Sequence, residues 1–488
     1  MNQRTENWIL GSILAVFGSY IVLRAFILPI TVDEAATAIN HVPRLAFDTL
    51  FFQKEANPNN HILNTLLIKI FTGIFGWHHF VFRLPVLIGG GLYAWASWKL
   101  VLKMSSNSWI RIFSIAMLFG NPYMLEFFSL GRGYGLAAGL MTVALYQAWL
   151  FMEKNEARNL RLAFVFAGLS VYANFTLLIF WAPFTFMCLV SAWQLNPSIK
   201  TYWTQTKPAL KTLAVFVLLW ITPLKRLSKD SEILNWNQLG TYFESVQKSV
   251  RACIHANAYL GSDSDLVLTW VLLIGMVAGV LVGLKRLWDS KFKLSIEPKA
   301  FLVVLLLGVV VTNIVQVRMT HTPYLQSRLA LFYWPLYAFT IAASVTWLWE
   351  RFGKKAAMAL MAPLALILTL NTVRTVNLRL SLEWFHDSDT FTVLDYLKNL
   401  YLKEGRTEPY LIDTEWFMQN SFMYHLEKNT YGYARYAKIP EFHGNRPPMK
   451  EADFFYGISP DKVQEAKTDF DIVFSVPNSS LVLCRHKR

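Results

Sequence analysis

The chain has 488 residues, of which 54% are hydrophobic, 15% aromatic and only 16% charged. Soluble domains carry about 25% charged residues, so this composition argues against a water-soluble globular protein. Three cysteines allow at most one disulfide, which excludes a disulfide-stapled secreted scaffold. The net charge of +14 would suggest a nucleic-acid partner, but membrane proteins also concentrate Lys and Arg in the loops on one side.

Apolar runs recur along the chain, most of them close to the roughly 20 residues that a helix needs to cross a bilayer. The first run extends from Trp8 to about Ile30, and Arg24 near its far end is expected to reach the membrane interface. The eleven predicted spans are 8–30, 84–102, 110–125, 133–152, 161–174, 176–194, 209–223, 266–284, 300–317, 329–349 and 356–373. The sequence therefore predicts an α-helical polytopic membrane protein.

The distribution of basic residues predicts the orientation. A cytoplasmic N-terminus places six segments inside, and these carry 18 Lys and Arg against six Asp and Glu. The six segments are 1–7, 99–111, 153–161, 195–211, 285–299 and 350–355. This excess agrees with the positive-inside rule. The basic balance is thus interpreted as a topology signal, and no nucleic-acid partner is expected.

Residues 374–488 differ from the rest, with 15 Lys and Arg against 16 Asp and Glu. Short strand-like runs, such as Tyr410–Ile412 and Asp471–Val476, alternate there with helical stretches, which predicts a small soluble α/β domain. An odd number of spans puts this domain outside. The predicted division is a transmembrane domain over 1–373, with outer loops 31–83 and 224–264, and a soluble extracytoplasmic domain over 374–488.

One apolar stretch, from His61 to Gly76, is predicted to lie at the outer interface and not to cross the membrane. It contains only 16 residues and includes Asn64 and Lys69. Counting it as a span would place the basic segments 153–161 and 285–299 outside and reverse the charge bias.

Polar residues at membrane boundaries are costly to bury and are functional candidates. Asp33 and Glu34 follow the first span, where adjacent carboxylates can supply a general base or a metal ligand. The alternative is a solvated pair that caps the next helix. Asn60 and His61 end a polar turn that contains a proline, and the alternative for this turn is also a helix N-cap.

Two further sets contain arginines. The first is Glu126 with Arg132 and Tyr134, in which an arginine flanked by glycines can approach an anion such as a phosphate. The alternative is an internal ion pair between Glu126 and Arg132. The second set, in a short loop, is Arg318, His321, Tyr324 and Arg328. Two arginines in an outer loop oppose the charge rule and favour an anionic partner.

All four sets lie on the same predicted outer face. In contrast, the chain has no nucleotide-binding glycine motif, no HExxH and no cysteine cluster with zinc spacing. The candidate chemistry is therefore extracytoplasmic.

Several short motifs occur in an order that resembles a known family. They are Asp33-Glu34-Ala35, the segment 59–67, Phe82-Arg83-Leu84-Pro85, Asn121-Pro122, Arg132-Gly-Tyr134-Gly, Gln326-Ser-Arg328-Leu and Trp334-Pro335. Over residues 8–150 especially, the chain resembles the polytopic glycosyltransferases of the GT-C fold, in particular bacterial relatives of protein O-mannosyltransferases (glycosyltransferase family 39) and of the lipid A aminoarabinose transferase. It departs from many relatives at Asn59-Asn60, where they have Pro-Pro.

The resemblance implies a polyprenyl-phosphate-linked sugar donor, attacked at its anomeric carbon by an acceptor hydroxyl on the outer face, usually with inversion. It implies Asp33 as the base, with Glu34 or Glu126 either assisting or holding a divalent cation. Members of the family differ in whether they need a metal ion, so this point stays open. An arginine, Arg132, Arg318 or Arg328, would neutralise the leaving phosphate. The acceptor is left open between a glycan, a lipid and a protein, and the setting is a multi-pass protein of the plasma (inner) membrane.

A transporter or flippase of lipid-linked envelope precursors is the alternative. It predicts charged residues deep within several spans, whereas the mid-span positions here are nearly all apolar. A membrane-anchored binding protein is a further alternative, which leaves the polar outer loops unexplained.

Overall fold

The fold is described from a computed structural model of the chain. The described residues are 2–53, 57, 59–228, 240–254, 262–289, 297–428, 432–437, 449, 451–457, 469–476 and 481–487. Internal contacts divide the chain into two compact units. The first unit consists of Met1–Leu23, Leu45–Leu67 and Arg83–Val376, and the second of Arg24–Arg44, Ile68–Phe82 and Asn377–Arg488.

Helices occupy all eleven predicted spans. In chain order the helices are α1 (Gln3–Ile27), α2 (Val32–Ala36), α3 (Ala46–Phe51), α4 (Ile62–Phe75), α5 (His79–Met104), α6 (Ser108–Phe119), α7 (Pro122–Phe127), α8 (Gly133–Lys154), α9 (Ala157–Ala173), α10 (Leu178–Leu195), α11 (Ile199–Leu227), α12 (Tyr242–Cys253), α13 (Ser262–Asp289), α14 (Pro298–Thr320), α15 (Tyr333–Phe352), α16 (Lys354–Thr375), α17 (Thr390–Glu404) and α18 (Gln419–Met423). Within the described part of the chain, eight are long and apolar enough to cross a membrane: α1, α5, α8, α10, α11, α13, α14 and α16. The helices at the other three predicted spans, α6, α9 and α15, are shorter or less apolar.

The third predicted span, 110–125, is two helices and not one. Helix α6 ends at Phe119, and α7 begins at Pro122. The Asn121 side chain caps α7 by accepting a hydrogen bond from the Met124 amide. Proline suits the first helical position because its missing N–H would have no partner within the helix. The Asn-Pro pair therefore starts a new helix within a stretch whose overall hydropathy predicts a single span.

Helix α8 is enclosed by its neighbours over most of its length, with 89% of its most apolar stretch buried. Its backbone touches that of α5, because a Cβ atom added at Gly139 would lie 2.2 Å from the carbonyl oxygen of Gly89. Small residues allow such close approach between membrane helices. This packing fixes α8, which begins at the Arg132-Gly133-Tyr134 motif.

The second unit contains a mixed five-stranded sheet of order β2-β1-β3-β5-β4. Its strands are β1 (Tyr410–Thr414), β2 (Ala434–Tyr436), β3 (Phe454–Gly457), β4 (Phe470–Ser475) and β5 (Val482–His486). Strand β1 runs parallel to β2 and β3, whereas β5 runs antiparallel to β3 and β4. Val393 and Leu397 of α17 and Phe422 of α18 share a buried core with Tyr410 and Ile412 of β1. The predicted fold class, a helical polytopic protein with a small C-terminal α/β domain, is confirmed.

The second unit also takes in segments from the N-terminal third of the chain. Ile30, Ala35, Ile68 and Phe82 form a buried cluster with Tyr424, which follows α18. The short helix α2, with the predicted carboxylate pair, is therefore packed in the same unit as the sheet.

Arg24, near the end of α1, belongs to this unit and is held by the chain itself. Its side chain is 1% exposed, and its guanidinium donates to the carbonyl oxygens of Asn377 at 2.6 Å and Leu380 at 2.9 Å. Arg24 thus ties the end of α1 to the chain that follows α16.

Candidate active site

The predicted carboxylate pair lies in the first turn of α2, and its two members make different contacts. Glu34 is fully buried, and its Oε2 accepts a hydrogen bond from the Thr31 amide at 2.9 Å. Thr31 Oγ1 in turn accepts from the Glu34 amide, which completes a capping box. The capping part of the alternative therefore describes Glu34, although its carboxylate is buried and not solvated.

Asp33 is half-buried and lies outside this capping box. Its backbone is held on the other side, because the Thr37 hydroxyl donates to the Asp33 carbonyl oxygen at 3.0 Å. The turn thus fixes the position of Asp33 without using its carboxylate as a cap.

Two residues that the sequence reasoning missed, His386 and Asp387, belong to the same group. Asp387 Oδ2 accepts a hydrogen bond from the Val32 amide at 2.7 Å, immediately before Asp33. Asp387 Oδ1 accepts from the Ser421 hydroxyl at 2.6 Å. His386 Nε2 lies 3.6 Å from Asp387 Oδ2. The only signal in the sequence was the His-Asp-Ser-Asp run at 386–389, just beyond the last span.

Burial controls the protonation of this pair. It raises the pKa of the Asp387 carboxyl to about 8, and the charges of Asp33 and Glu34 act in the same direction. It lowers the pKa of His386 to about 4, against the opposing effect of the Asp33 charge. Both groups are therefore largely neutral at pH 7. As a result, His386 and Asp387 add little charge beside Asp33.

In the first unit, an open pocket of ≈ 440 Å³ brings together residues from two of the predicted sets. Asn60, His61 and Tyr134 line it, and the His61 and Tyr134 rings meet edge to face at 4.8 Å. The remaining lining residues are Tyr172, Asn174, Phe175, Thr176, Leu227 and Leu329. Amide, hydroxyl and aromatic groups in one pocket suit a polar ring such as a sugar. Sequence reasoning missed Tyr172 and Thr176 because they lie on segments without a motif.

Close packing surrounds Gly133, the residue before the pocket-lining Tyr134. A Cβ atom added at Gly133 would lie 2.2 Å from the Ala173 carbonyl oxygen and 2.6 Å from His61 Cβ. The preceding residue, Arg132, is buried, and its Nη2 donates to Asn59 Oδ1 at 2.8 Å. Glycine is thus required between the buried guanidinium and the pocket-lining tyrosine.

A second pocket in the same unit, of ≈ 510 Å³, is lined mainly by apolar and tyrosine side chains. They include Tyr123, Tyr242, Val246, Val250, Met276, Leu331, Tyr333, Trp334 and Tyr337. Leu325 and Ser327 also line this pocket, whereas Leu329 lines the polar pocket described above. Half-buried Arg328 therefore lies on the short segment that borders both pockets.

The other predicted residues have fewer described contacts with the carboxylate turn or with the polar pocket. Glu126 is buried in α7, where its carbonyl oxygen accepts from the Ser129 amide and hydroxyl. Arg318 and His321 are exposed at the end of α14 and are not among the described lining residues of either pocket. Tyr324 is buried and packs edge to face against Tyr242 at 5.7 Å.

The sequence left open whether a divalent cation is required, and such an ion would need several carboxylate, histidine or cysteine ligands close together. Within the described ranges, no three His, Cys, Asp or Glu side chains are grouped so that they could hold a metal ion.

Comparison with family models finds no match, and comparison with curated protein sequences finds none either. Solved structures do match. The chain is similar to ArnT from Cupriavidus metallidurans in the apo state, with a TM-score of 0.54 and 10% identity over 99% of this chain and 98% of that one. ArnT of the same organism bound to undecaprenyl phosphate matches with a TM-score of 0.50 and 10% identity, over 96% of this chain and 97% of that one.

At this level of identity the likeness establishes the fold and not the activity. It extends over nearly the whole of both chains, including the C-terminal domain. The chain therefore has the GT-C fold, as the sequence resemblance implied.

Proposed function

We propose that the chain is a membrane glycosyltransferase that moves a sugar from a polyprenyl-phosphate-linked donor to an acceptor hydroxyl. The observation that carries the proposal is the full-length GT-C likeness to an ArnT structure that holds undecaprenyl phosphate. Two further features support it. The second unit offers the half-buried Asp33 as a base, and the first unit offers one polar and one tyrosine-rich pocket for the donor.

In the proposed reaction, the acceptor oxygen attacks the anomeric carbon and forms the new glycosidic bond. The bond between that carbon and the phosphate oxygen breaks, and polyprenyl phosphate leaves from the opposite face, which inverts the configuration. Asp33 takes the acceptor proton. Asp33 is preferred to Glu34 because the Glu34 carboxylate caps α2. Glu126 is proposed to assist.

The two pockets suggest how the donor binds. A polyprenyl-phosphate-linked sugar has a polar ring, an anionic phosphate and an apolar chain in that order. The polar pocket suits the ring, the tyrosine-rich pocket suits the chain, and Arg328 between them suits the phosphate. Arg132 and Arg318 are the alternatives for the phosphate contact.

Arg328→Gln should weaken binding of undecaprenyl phosphate more than Arg318→Gln does. The reverse order would assign the phosphate contact to Arg318.

The proposed setting is the plasma (inner) membrane, with a cytoplasmic N-terminus and an extracytoplasmic C-terminal domain. The acceptor is a glycan, a lipid or a protein.

A membrane-impermeant thiol reagent tests the orientation. It should label Asp395→Cys in intact cells but Lys354→Cys only after permeabilisation, and the opposite pattern would invert the topology. Removal of metal ions with EDTA tests whether a divalent cation at Glu34 or Glu126 is required. Sugar transfer that continues after this treatment would exclude such a requirement.

The test of the function is sugar transfer in membranes. Lipid-linked sugars are extracted from cells grown on radiolabelled glucose and added to membranes that contain the chain. Wild type should move label out of the polyprenyl-phosphate fraction, and Asp33→Asn should slow this by about 10²- to 10⁴-fold, the usual contribution of a general base.

The matched control is Asp395→Asn, which neutralises an exposed carboxylate of the same unit and should be fully active. Full activity in correctly folded Asp33→Asn would remove the base assignment. No wild-type transfer to any membrane acceptor would contradict the proposed function itself.

A further inference from the structure

We propose that Asp387 is a positioning residue that holds Asp33 in place for proton transfer, acting through the Val32 backbone. This inference rests on the proposed function, since it assigns a role around the same base. It gives the C-terminal domain a part in the reaction that no sequence motif indicated.

The first observation is the partner of the Val32 amide. Val32 is the first residue of α2, and amides in the first turn of a helix have no partner within the helix. Asp387, 355 residues further along the chain, accepts this hydrogen bond at 2.7 Å. Asp33 is the next residue, so the direction of its side chain depends on where this amide is held.

The second observation is that Asp387 is itself held from the other side. Ser421 is fully buried on α18, and its hydroxyl donates to Asp387 Oδ1 at 2.6 Å. The same hydroxyl lies 2.9 Å from the Met418 carbonyl oxygen. If Asp387 is protonated, its O–H can donate to Ser421 while Ser421 donates to Met418. The contact is therefore satisfied in either protonation state of the acid.

The third observation separates positioning from contact with substrate. Asp387 is 1% exposed, so a donor or acceptor molecule cannot reach its carboxyl group directly. The rest of the turn is fixed by the capping box of Thr31 and Glu34 and by the Thr37 hydroxyl on the Asp33 carbonyl. Loss of Asp387 would release only the Val32 end of the turn and leave these other bonds in place.

The test compares Asp387→Leu with Asp387→Asn in the full-length chain, in membranes supplied with the radiolabelled lipid-linked sugars. Asp387→Leu should lower kcat by about 10²-fold, the cost expected when a reacting group moves by about 1 Å. KM for the lipid-linked sugars should change by less than about threefold, because Asp387 does not touch them. Asp387→Asn should restore most of kcat, because its amide can repeat both hydrogen bonds of the neutral acid.

The matched control is Asp389→Asn, which removes a neighbouring buried carboxylate that pairs with Arg379 and makes no bond to the Asp33 turn. It should retain kcat. Where Asp387→Leu does not fold, Ser421→Ala replaces it and should lower kcat by about tenfold through loss of one buried hydrogen bond.

The outcomes distinguish the two proposals. Wild-type kcat in folded Asp387→Leu, or in folded Ser421→Ala, would overturn the positioning role while leaving the glycosyltransferase proposal intact. A loss in Asp387→Leu that Asp387→Asn does not restore would also overturn it. No transfer by the wild type would overturn both.

Discussion

At the scale of single residues, Asp33 and Glu34 differ in their contacts although they are adjacent and chemically alike. The pattern Thr31-x-x-Glu34 is the sequence signature of a capping box, so the structural role of Glu34 could be predicted from local sequence. The contact of Asp387 with the Val32 amide could not, because its two partners lie 355 residues apart and meet only through tertiary packing.

The raised pKa of Asp387 predicts a pH-dependent stability. Its pKa of about 8, against an ordinary 3.8, means that the folded chain keeps a proton that the unfolded chain has lost. This contribution is complete below about pH 4 and is lost as the pH rises to about 8. His386 has the opposite sign between about pH 4 and 6.5, since the unfolded imidazole gains a proton there first.

The net loss of stability from this pair therefore falls between about pH 6.5 and 8. We expect the melting temperature of the full chain in detergent to decrease across this interval, and Asp387→Asn to remove the decrease. A variant that still loses stability as steeply as the wild type would contradict the pKa assigned to Asp387.

At the scale of elements, apolar periodicity located the helices because hydropathy is a local property. It missed the break between α6 and α7, where the Asn121-Pro122 cap outweighs a continuous apolar run. A sequence motif, not periodicity, identified Arg132 and Tyr134, and the flanking glycines were interpreted as giving an anion access to the guanidinium. The structure adds a packing reason, because Gly133 approaches the Ala173 carbonyl and His61, which are distant in sequence.

Gly133→Ala should therefore damage both stability and the polar pocket. The added methyl group would lie 2.2 Å from the Ala173 carbonyl oxygen, and overpacking of this kind costs about 1–3 kcal/mol. We expect a lower melting temperature in detergent and slower sugar transfer. Gly91→Ala in α5 is the control, since a Cβ atom there meets nothing within 4 Å and alanine favours a helix. Equal melting temperatures for the two variants would refute the close packing at Gly133.

At the scale of the whole molecule, the sequence predicted a helical polytopic chain with a C-terminal α/β domain, and the GT-C likeness agrees. The predicted domains divide the chain at residue 373, whereas the contacts group Arg24–Arg44 and Ile68–Phe82 with the C-terminal part. Composition shows which segments are apolar, but not which segments pack together in the fold. For that reason sequence analysis identified Asp33 as a candidate but not its neighbours His386 and Asp387.

A mass balance on the donor lipid in proteoliposomes tests most directly whether the chain transfers sugar from a polyprenyl-phosphate-linked donor. Purified chain is reconstituted with extracted polyprenyl-phosphate-linked sugars and membrane acceptors, and the lipids are quantified by mass spectrometry. For a glycosyltransferase we expect the donor to disappear while free polyprenyl phosphate and a glycosylated acceptor appear in equal amounts, and we expect Asp33→Asn to slow this conversion by about 10²- to 10⁴-fold. A donor that crosses the bilayer chemically intact, with no polyprenyl phosphate released, would contradict the proposed function and indicate a transporter.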